Sequence, residues 1–235
     1  MNELNRNYNL TQNFWKKKYH SPNVESIVFR LQSKILKHEY NLPKKRNSKL
    51  IDFGCGEGSS SNFFARQGYK TFGLDISKIS IKTAKQRFKS NKNLKFEVCK
   101  MIPSEQRIYG FDKGVDVIFA LQSLYYLGKK DFFDLLEIFN KSLKKNGLIF
   151  ATFKTPNQWE YYKNSKKTKD PWLRHVKFKN SRINVNLTQF FVKNEKDMIK
   201  RMSIFKPLHI GKYTMKLTNY ESEGEHLTFF GKKRS

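Results

Sequence analysis

An α/β fold built on a mostly parallel sheet is what the sequence predicts, on three observations. Residues 49–61, KLIDFGCGEGSSS, pass from a short apolar strand (Leu50, Ile51, Phe53) through a glycine-rich turn into a helix. Strand-like segments at 71–75, 94–98, 115–120 and 148–153 alternate with segments of helical periodicity. The run VDVIFA at 115–120 is nearly continuously apolar, as a strand covered on both faces must be. A chain of 235 residues holds one full domain of this kind with a covering segment.

Residues 1–47 precede the first core strand. Phe14, Trp15 and Tyr19 sit among Lys16, Lys17 and Lys18, and Val24, Ile27, Val28, Leu31, Ile35 and Leu36 then recur at helical steps, ending before Pro43. At the turn, Gly54, Gly56 and Gly58 flank Cys55 and Glu57. Glycines there let a ligand approach the backbone, and the helix beginning near Ser59 points its unpaired N–H groups at that ligand. The spacing is not the dinucleotide fingerprint, because Ser59 stands at the sixth position and Asp52 precedes the first glycine. A carboxylate at that strand tip repels a pyrophosphate and holds an ammonium group. Seventeen residues past Gly58, Asp75 ends the second strand, where a ribose diol is gripped in such folds.

DFGCGEG at 52–58 and GLDIS at 73–77 resemble the first two motifs of class I S-adenosylmethionine-dependent methyltransferases. The resemblance implies a Rossmann-like sheet and S-adenosylmethionine as cofactor. It implies cofactor contacts from Asp52, Gly54, Cys55, Gly56, Gly58, Asp75 and Ile76, and from Met101, Leu121 and Gln122 at the later strand ends. It also implies an N-terminal helical lid over 1–47, with Trp15 and Tyr19 covering the cofactor, and a methyltransferase domain over 48–235.

The other elements follow in order. A helix over 60–67 stops at Gly68, and a second is capped at Ser77 with Ile79, Ile81, Ala84 and Phe88 inward. After the third strand (94–98) the family carries Gly-Asp; this chain has Cys99-Lys100, so no acid is offered to the adenine. Beyond the fourth strand, LQSLYYL at 121–127 resembles a family loop in which Tyr126 takes the place of a histidine. Tyr125 and Tyr126 are therefore the catalytic candidates there, with no histidine base beside them. Asp131 is placed to cap a helix running to Leu143, and Asn146-Gly147 precedes the fifth strand.

Residues 154–182 break the pattern: Trp159, Tyr161, Tyr162 and Trp172 are interleaved with nine Lys or Arg against two acids. A long irregular stretch of this kind is expected as a cap over an acceptor site. Trp159, Trp172 and Arg174 are its candidate substrate residues, Arg174 as the anion fork, and His175 is a candidate base. A short strand over 187–192 and a helix over 195–205 follow. Segments 208–217 and 225–232 then read as a C-terminal antiparallel hairpin, a feature of class I methyltransferases that dinucleotide-binding Rossmann domains lack.

The charge of +27 comes from 37 Lys and 10 Arg spread along the chain, a composition that favours general lysine enrichment over an arginine-built RNA interface. Nucleic acid remains the alternative partner to a small acidic acceptor. Two cysteines 44 positions apart form no disulfide framework or metal set, so a reducing, cytoplasmic setting without bound metal is expected. No apolar run approaches membrane-spanning length. The oligomeric state is not encoded in any readable pattern. Methyl transfer to a small, negatively charged acceptor is the expected activity, ahead of tRNA or rRNA methylation and of a non-catalytic binding role.

Overall fold

The computed structural model describes residues 24–44, 48–99, 114–179, 184–214 and 224–234, excepting the side chains of Trp159 and Glu160. Trp15, Tyr19 and Met101 lie outside the described residues, as does most of the expected lid.

Among the described residues ten strands form two sheets. The central sheet has the order β3-β2-β1-β4-β5-β10-β9, from β1 (Lys49–Phe53), β2 (Lys70–Asp75), β3 (Leu94–Val98), β4 (Val115–Ala120), β5 (Leu143–Lys154), β9 (Phe205–Tyr213) and β10 (His226–Lys233). Its first five strands are parallel. β10 runs antiparallel to both β5 and β9, which is the expected C-terminal hairpin with its first strand shifted toward the N-terminus. The reversal at β1/β4 leaves a crevice at the strands' carboxyl ends, the usual place for a ligand in open α/β sheets.

Helices cover both faces. On one side lie α1 (Ser26–Arg30), continued by a π-helical turn at Leu31–Leu36, and α2 (Ser59–Arg66), burying Val28, Leu31, Leu36 and Phe64 against Phe119 and Phe150. The other side carries α4 (Lys129–Ser142), with Phe132, Leu135, Leu136 and Phe139 inward. α3 (Lys78–Arg87) is capped by Ser77, whose hydroxyl accepts from Ser80 N–H at 3.2 Å. Ile81 and Ala84 face inward, but Ile79 is exposed, against the sequence expectation. Residues 79 and 81 are about 200° apart around a helix, so one inward face cannot hold both.

Two boundaries also differ. α4 begins at Lys129, with Asp131 buried in its first turn and no side-chain cap at Gly128. α6 (Glu195–Arg201), capped by Asn194, ends four residues early because Phe205 joins β9 opposite Lys233.

The expected irregular cap is ordered structure. After the short helix α5 (Trp159–Lys163), β6 (Ser165–Lys167), β7 (Arg174–Lys179) and β8 (Asn184–Gln189) make an antiparallel sheet that extends seven residues past the expected boundary. Its Val176, Val185 and Leu187 join the core over α4. Phe190 N–H donates to Tyr125 C=O at 2.8 Å and Val192 N–H to Lys154 C=O at 2.9 Å, fastening this sheet's exit to the carboxyl ends of β4 and β5.

Candidate active site

The glycine loop is held from behind by β2. Gly54 and Cys55 N–H both donate to Leu74 C=O, at 2.7 and 2.9 Å. Asp75 then clamps the loop: one carboxylate oxygen accepts from Gly56 N–H at 2.9 Å and the other from Ser77 N–H at 2.8 Å. Glu57 reaches Arg87 on α3 at 3.3 Å.

The three glycines serve different needs. Each has positive φ (76°, 54° and 82°), but a Cβ on Gly54 would stand 2.4 Å from Ser123 Cβ, and one on Gly58 2.4 Å from the Phe96 ring. Those two are fixed by packing. A Cβ on Gly56 would meet nothing within 4 Å, so only there does the backbone face open space. Gly58→Ala is therefore expected to destabilise the fold by about 2–3 kcal/mol, through strain and overpacking together, and Gly56→Ala by about 1 kcal/mol through conformation alone. Urea unfolding of both variants checks that order.

Asp52 sits behind the loop rather than in it. Its side chain is only 2% exposed, and Ser61 Oγ on α2 donates to it at 2.5 Å. Burial raises its carboxyl to about 7; the Ser61 hydrogen bond works against that rise and the neighbouring Asp75 charge adds to it. Asp52 is thus enclosed behind the loop, with Ser61 as its hydrogen-bond partner. Burial raises the Cys55 thiol well above its ordinary range, so it stays uncharged. Ile76 and Leu121 pack against the two cores. Gln122 has φ of 51°, and its Nε2 donates to both Glu25 carboxylate oxygens at 3.1 Å and to Tyr213 Oη at 3.0 Å. That cluster ties the segment before α1 and the hairpin to the crevice.

At the carboxyl ends of β4 and β5 the structure gathers Tyr125, Tyr126, Lys154, Gln189 and His226, all at least nine-tenths buried. The two tyrosine rings pack at 4.7 Å. Lys154 Nζ donates to Gln189 Oε1 at 3.2 Å and stands 3.7 Å from the Tyr161 ring centre and 5.0 Å from that of Tyr125. His226 is the cross-strand partner of Lys154, and its ring stacks on Tyr213 at 5.2 Å. Burial, and then the Lys154 charge, depress His226 to about 3, so its ring is neutral. Nδ1 lies 3.1 Å from Gly224 C=O, which can only accept, and 3.3 Å from Gln158 Nε2, which can only donate, so it faces both kinds of partner. Burial raises the hydroxyls of Tyr125, Tyr126 and Tyr213, which therefore remain protonated near neutrality.

Of the expected cap residues Tyr161 reaches this cluster, over Lys154 Nζ, whereas Trp172, Arg174 and His175 are engaged elsewhere and the Trp159 side chain lies outside the described residues. Arg174 donates from Nε to Ser165 Oγ at 2.6 Å and from its Nη2 to Ser165 C=O at 3.0 Å, and it packs over Tyr162. His175 pairs with Asn186 Oδ1 at 2.8 Å on the outer sheet. Trp172 is wedged among Phe132, Phe190 and Arg201. Lys154, Gln189, Tyr213 and His226 were missed. The one readable signal was a lysine ending a central apolar strand on its ligand side.

Residues 51–149 match the family described as a methyltransferase domain. A chain from Anabaena variabilis, an S-adenosylmethionine-dependent methyltransferase, superposes with a TM-score of 0.67 over 97% of this chain and 95% of its own, at 15% identity. The match spans under half of the chain, and the fold around it is the one these methyltransferases share. The N-methyltransferase NodS of Bradyrhizobium japonicum, solved with S-adenosyl-L-homocysteine, shares this domain's fold at 13% identity, with a TM-score of 0.56 over 80% of this chain and 79% of its own. By sequence, the ubiquinone biosynthesis O-methyltransferase of Pelagibacter ubique is 36% identical over 105 residues, 45% of this chain and 41% of that protein. The chain spans under half the length of the curated relatives it matches.

Proposed function

We propose that the domain binds S-adenosylmethionine at the glycine loop and transfers its methyl group to a small acceptor carrying negative charge. The observation that carries the reading is the pairing of Gly56, whose backbone faces open space, with Asp75, half-buried beside it at the end of β2. The residues present fit such a cofactor. Each carboxylate oxygen accepts more than one hydrogen bond, so Asp75 can take ribose hydroxyls while clamping the loop. Asp52 places a carboxyl behind the cationic end. When bound, the cofactor supplies an already activated methyl group. The protein's part is then to align the acceptor and exclude water, for which the buried wall at Tyr125 and Tyr126 is suited. The Pelagibacter relative's name supports an oxygen acceptor.

Calorimetry tests the reading: micromolar binding of S-adenosylmethionine and of S-adenosylhomocysteine is expected, with none of NAD, and the reverse result would restore a dinucleotide site. The link of Glu25 to Gln122 also supports the N-terminal segment as a lid. Deleting residues 1–20 is expected to lower cofactor affinity while leaving the melting temperature of the core unchanged, and unaltered affinity would reduce the segment to packing.

RNA is the second reading, raised by the charge of +27 although its lysine-dominated make-up weakens it. Diffuse lysine binding collapses steeply between about 50 and 200 mM salt and ignores sequence. Selective binding to one RNA at physiological salt, with methyl incorporation into it, would replace the small acceptor. Among the described residues no helix is long and apolar enough to cross a membrane.

A further inference from the structure

We propose that the Glu25 carboxylate, held at the crevice by Gln122, is the counter-charge for the sulfonium of the cofactor, so that the site prefers the charged methyl donor to the spent thioether. This rests on the methyltransferase reading and adds to it the residue that answers the donor's charge. Three observations converge.

The first is an acid without a cation. Glu25 is half-buried just before α1, and both its oxygens accept from Gln122 Nε2 at 3.1 Å. The same nitrogen donates to Tyr213 Oη at 3.0 Å. Both side chains are neutral, and no lysine, arginine or histidine among the described residues forms an ion pair with Glu25. That is unexpected in a chain with 47 Lys and Arg against 20 Asp and Glu. Burial raises the Glu25 carboxyl, and no cation counters the rise. A cationic ligand beside it supplies the missing charge.

The second is the way it is held. The Gln122 backbone lies in the left-handed region, at φ 51°, which is uncommon for a residue with a side chain. Its N–H donates to Thr152 Oγ1 on β5 at 2.8 Å, which fixes that turn. Backbone strain of this kind gathers at ligand sites. Here it secures a carboxylate from 97 positions away in the sequence.

The third is place. In the sheet order β3-β2-β1-β4, Asp75 ends β2 and Gln122 follows β4, so the two stand on opposite sides of the tip of β1 and its glycine loop. The next residue, Ser123, packs against Gly54. A ligand that sets its diol at Asp75 and reaches across β1 brings its other end toward Gln122 and Glu25. With Asp75 assigned to the ribose and Asp52 enclosed behind the loop, Glu25 is the acid left for the sulfonium. When the methyl carbon leaves, the electron pair of the broken bond stays on sulfur and cancels its positive charge. The attraction to Glu25 then ends, which favours exchange of the neutral thioether for fresh donor.

Calorimetry on the full chain measures the affinities for S-adenosylmethionine and S-adenosylhomocysteine, which differ by one methyl group and one positive charge, and takes their ratio. Glu25→Gln keeps an oxygen to accept from Gln122 and removes only the charge. It is expected to lower the preference for S-adenosylmethionine by roughly tenfold, nearly all through weaker binding of that ligand. Glu25→Asp keeps most of the preference. Glu39→Gln, which removes a charge from the same N-terminal segment where it pairs with His209, leaves the ratio at the wild-type value. An unchanged ratio in Glu25→Gln overturns the proposal and leaves the methyltransferase reading standing. Equal weakening of both ligands overturns it too, and reduces Glu25 to a fastening of the segment. If melting curves show that Glu25→Gln does not fold, Glu25→Ala is read by the same criterion. Binding of neither ligand to the unmodified chain would strike the methyltransferase reading itself, and this proposal with it.

Discussion

Asp75→Ala is expected to reduce S-adenosylmethionine affinity by more than about 100-fold while leaving the chain folded. Two charge-assisted hydrogen bonds to the ribose, each about 1.5–3 kcal/mol, are lost together, and about 1.4 kcal/mol is a factor of ten. The same substitution releases Gly56 and Ser77 N–H from the carboxylate. The loop then loses the clamp that holds its one open backbone position in place. Asp75→Asn keeps one accepting oxygen but turns an NH2 toward a backbone N–H, so its affinity should fall between wild type and Ala. Calorimetry on the three proteins, with melting curves to confirm folding, checks the order. Equal affinities in wild type and Asp75→Ala would remove this residue from the cofactor site.

The place of Asp75 at the tip of β2, beside the glycine loop, was readable in the sequence because an apolar strand, an acid at its end and a glycine turn are each marked by residue type. The parallel strands were readable for a related reason. A strand buried on both faces must be apolar almost throughout, and 115–120 and 148–153 are. The second sheet was hidden by its charge. In β7, Val176 and Phe178 alternate with His175, Lys177 and Lys179, and in β8 Val185 and Leu187 alternate with Asn184 and Asn186. That is the period of a half-buried strand, but lysine and asparagine between the apolar residues make each segment read as loop. Arg174 looked like a substrate fork for the same reason: its charge was visible and its partner Ser165, nine residues away across a strand pair, was not.

The cluster at the carboxyl ends of β4 and β5 was legible only in Lys154, a lysine ending a central apolar strand. Lys154 and His226 meet through antiparallel pairing of β5 with β10, and Gln189 arrives from the end of the other sheet. None of the three has a motif. What marks Gln189 and His226 is a buried nitrogen without a hydrogen-bond partner among the described residues, a property of the folded chain alone. Asp52 is a mixed case, since its position in the first motif was legible and its enclosure by Ser61 was not.

That enclosure gives the protein a pH signature. The unfolded Asp52 carboxyl titrates near the ordinary 3.8, and burial moves the folded one to about 7. Between those values the folded chain keeps a proton that the unfolded chain has released. The contribution to stability is therefore fully present below about pH 3.8 and is lost as pH rises through about 7, by about 4 kcal/mol in all. Asp52→Asn, which can still accept from Ser61, removes that slope. The variant is expected to gain stability relative to wild type on going from about pH 4 to about pH 8, and the difference between the two urea-unfolding series isolates this one group from the other carboxylates. Binding of a cation in front of the loop works in the opposite direction, because it favours the ionised carboxylate. S-adenosylmethionine binding near pH 6 should accordingly release close to one proton from wild type and none from Asp52→Asn. Calorimetry in two buffers of different ionisation heat measures that number directly. Parallel stability curves for the two proteins, with no proton released by either, would mean that Asp52 is already ionised behind the loop and that its burial does not govern how the loop receives a charged ligand.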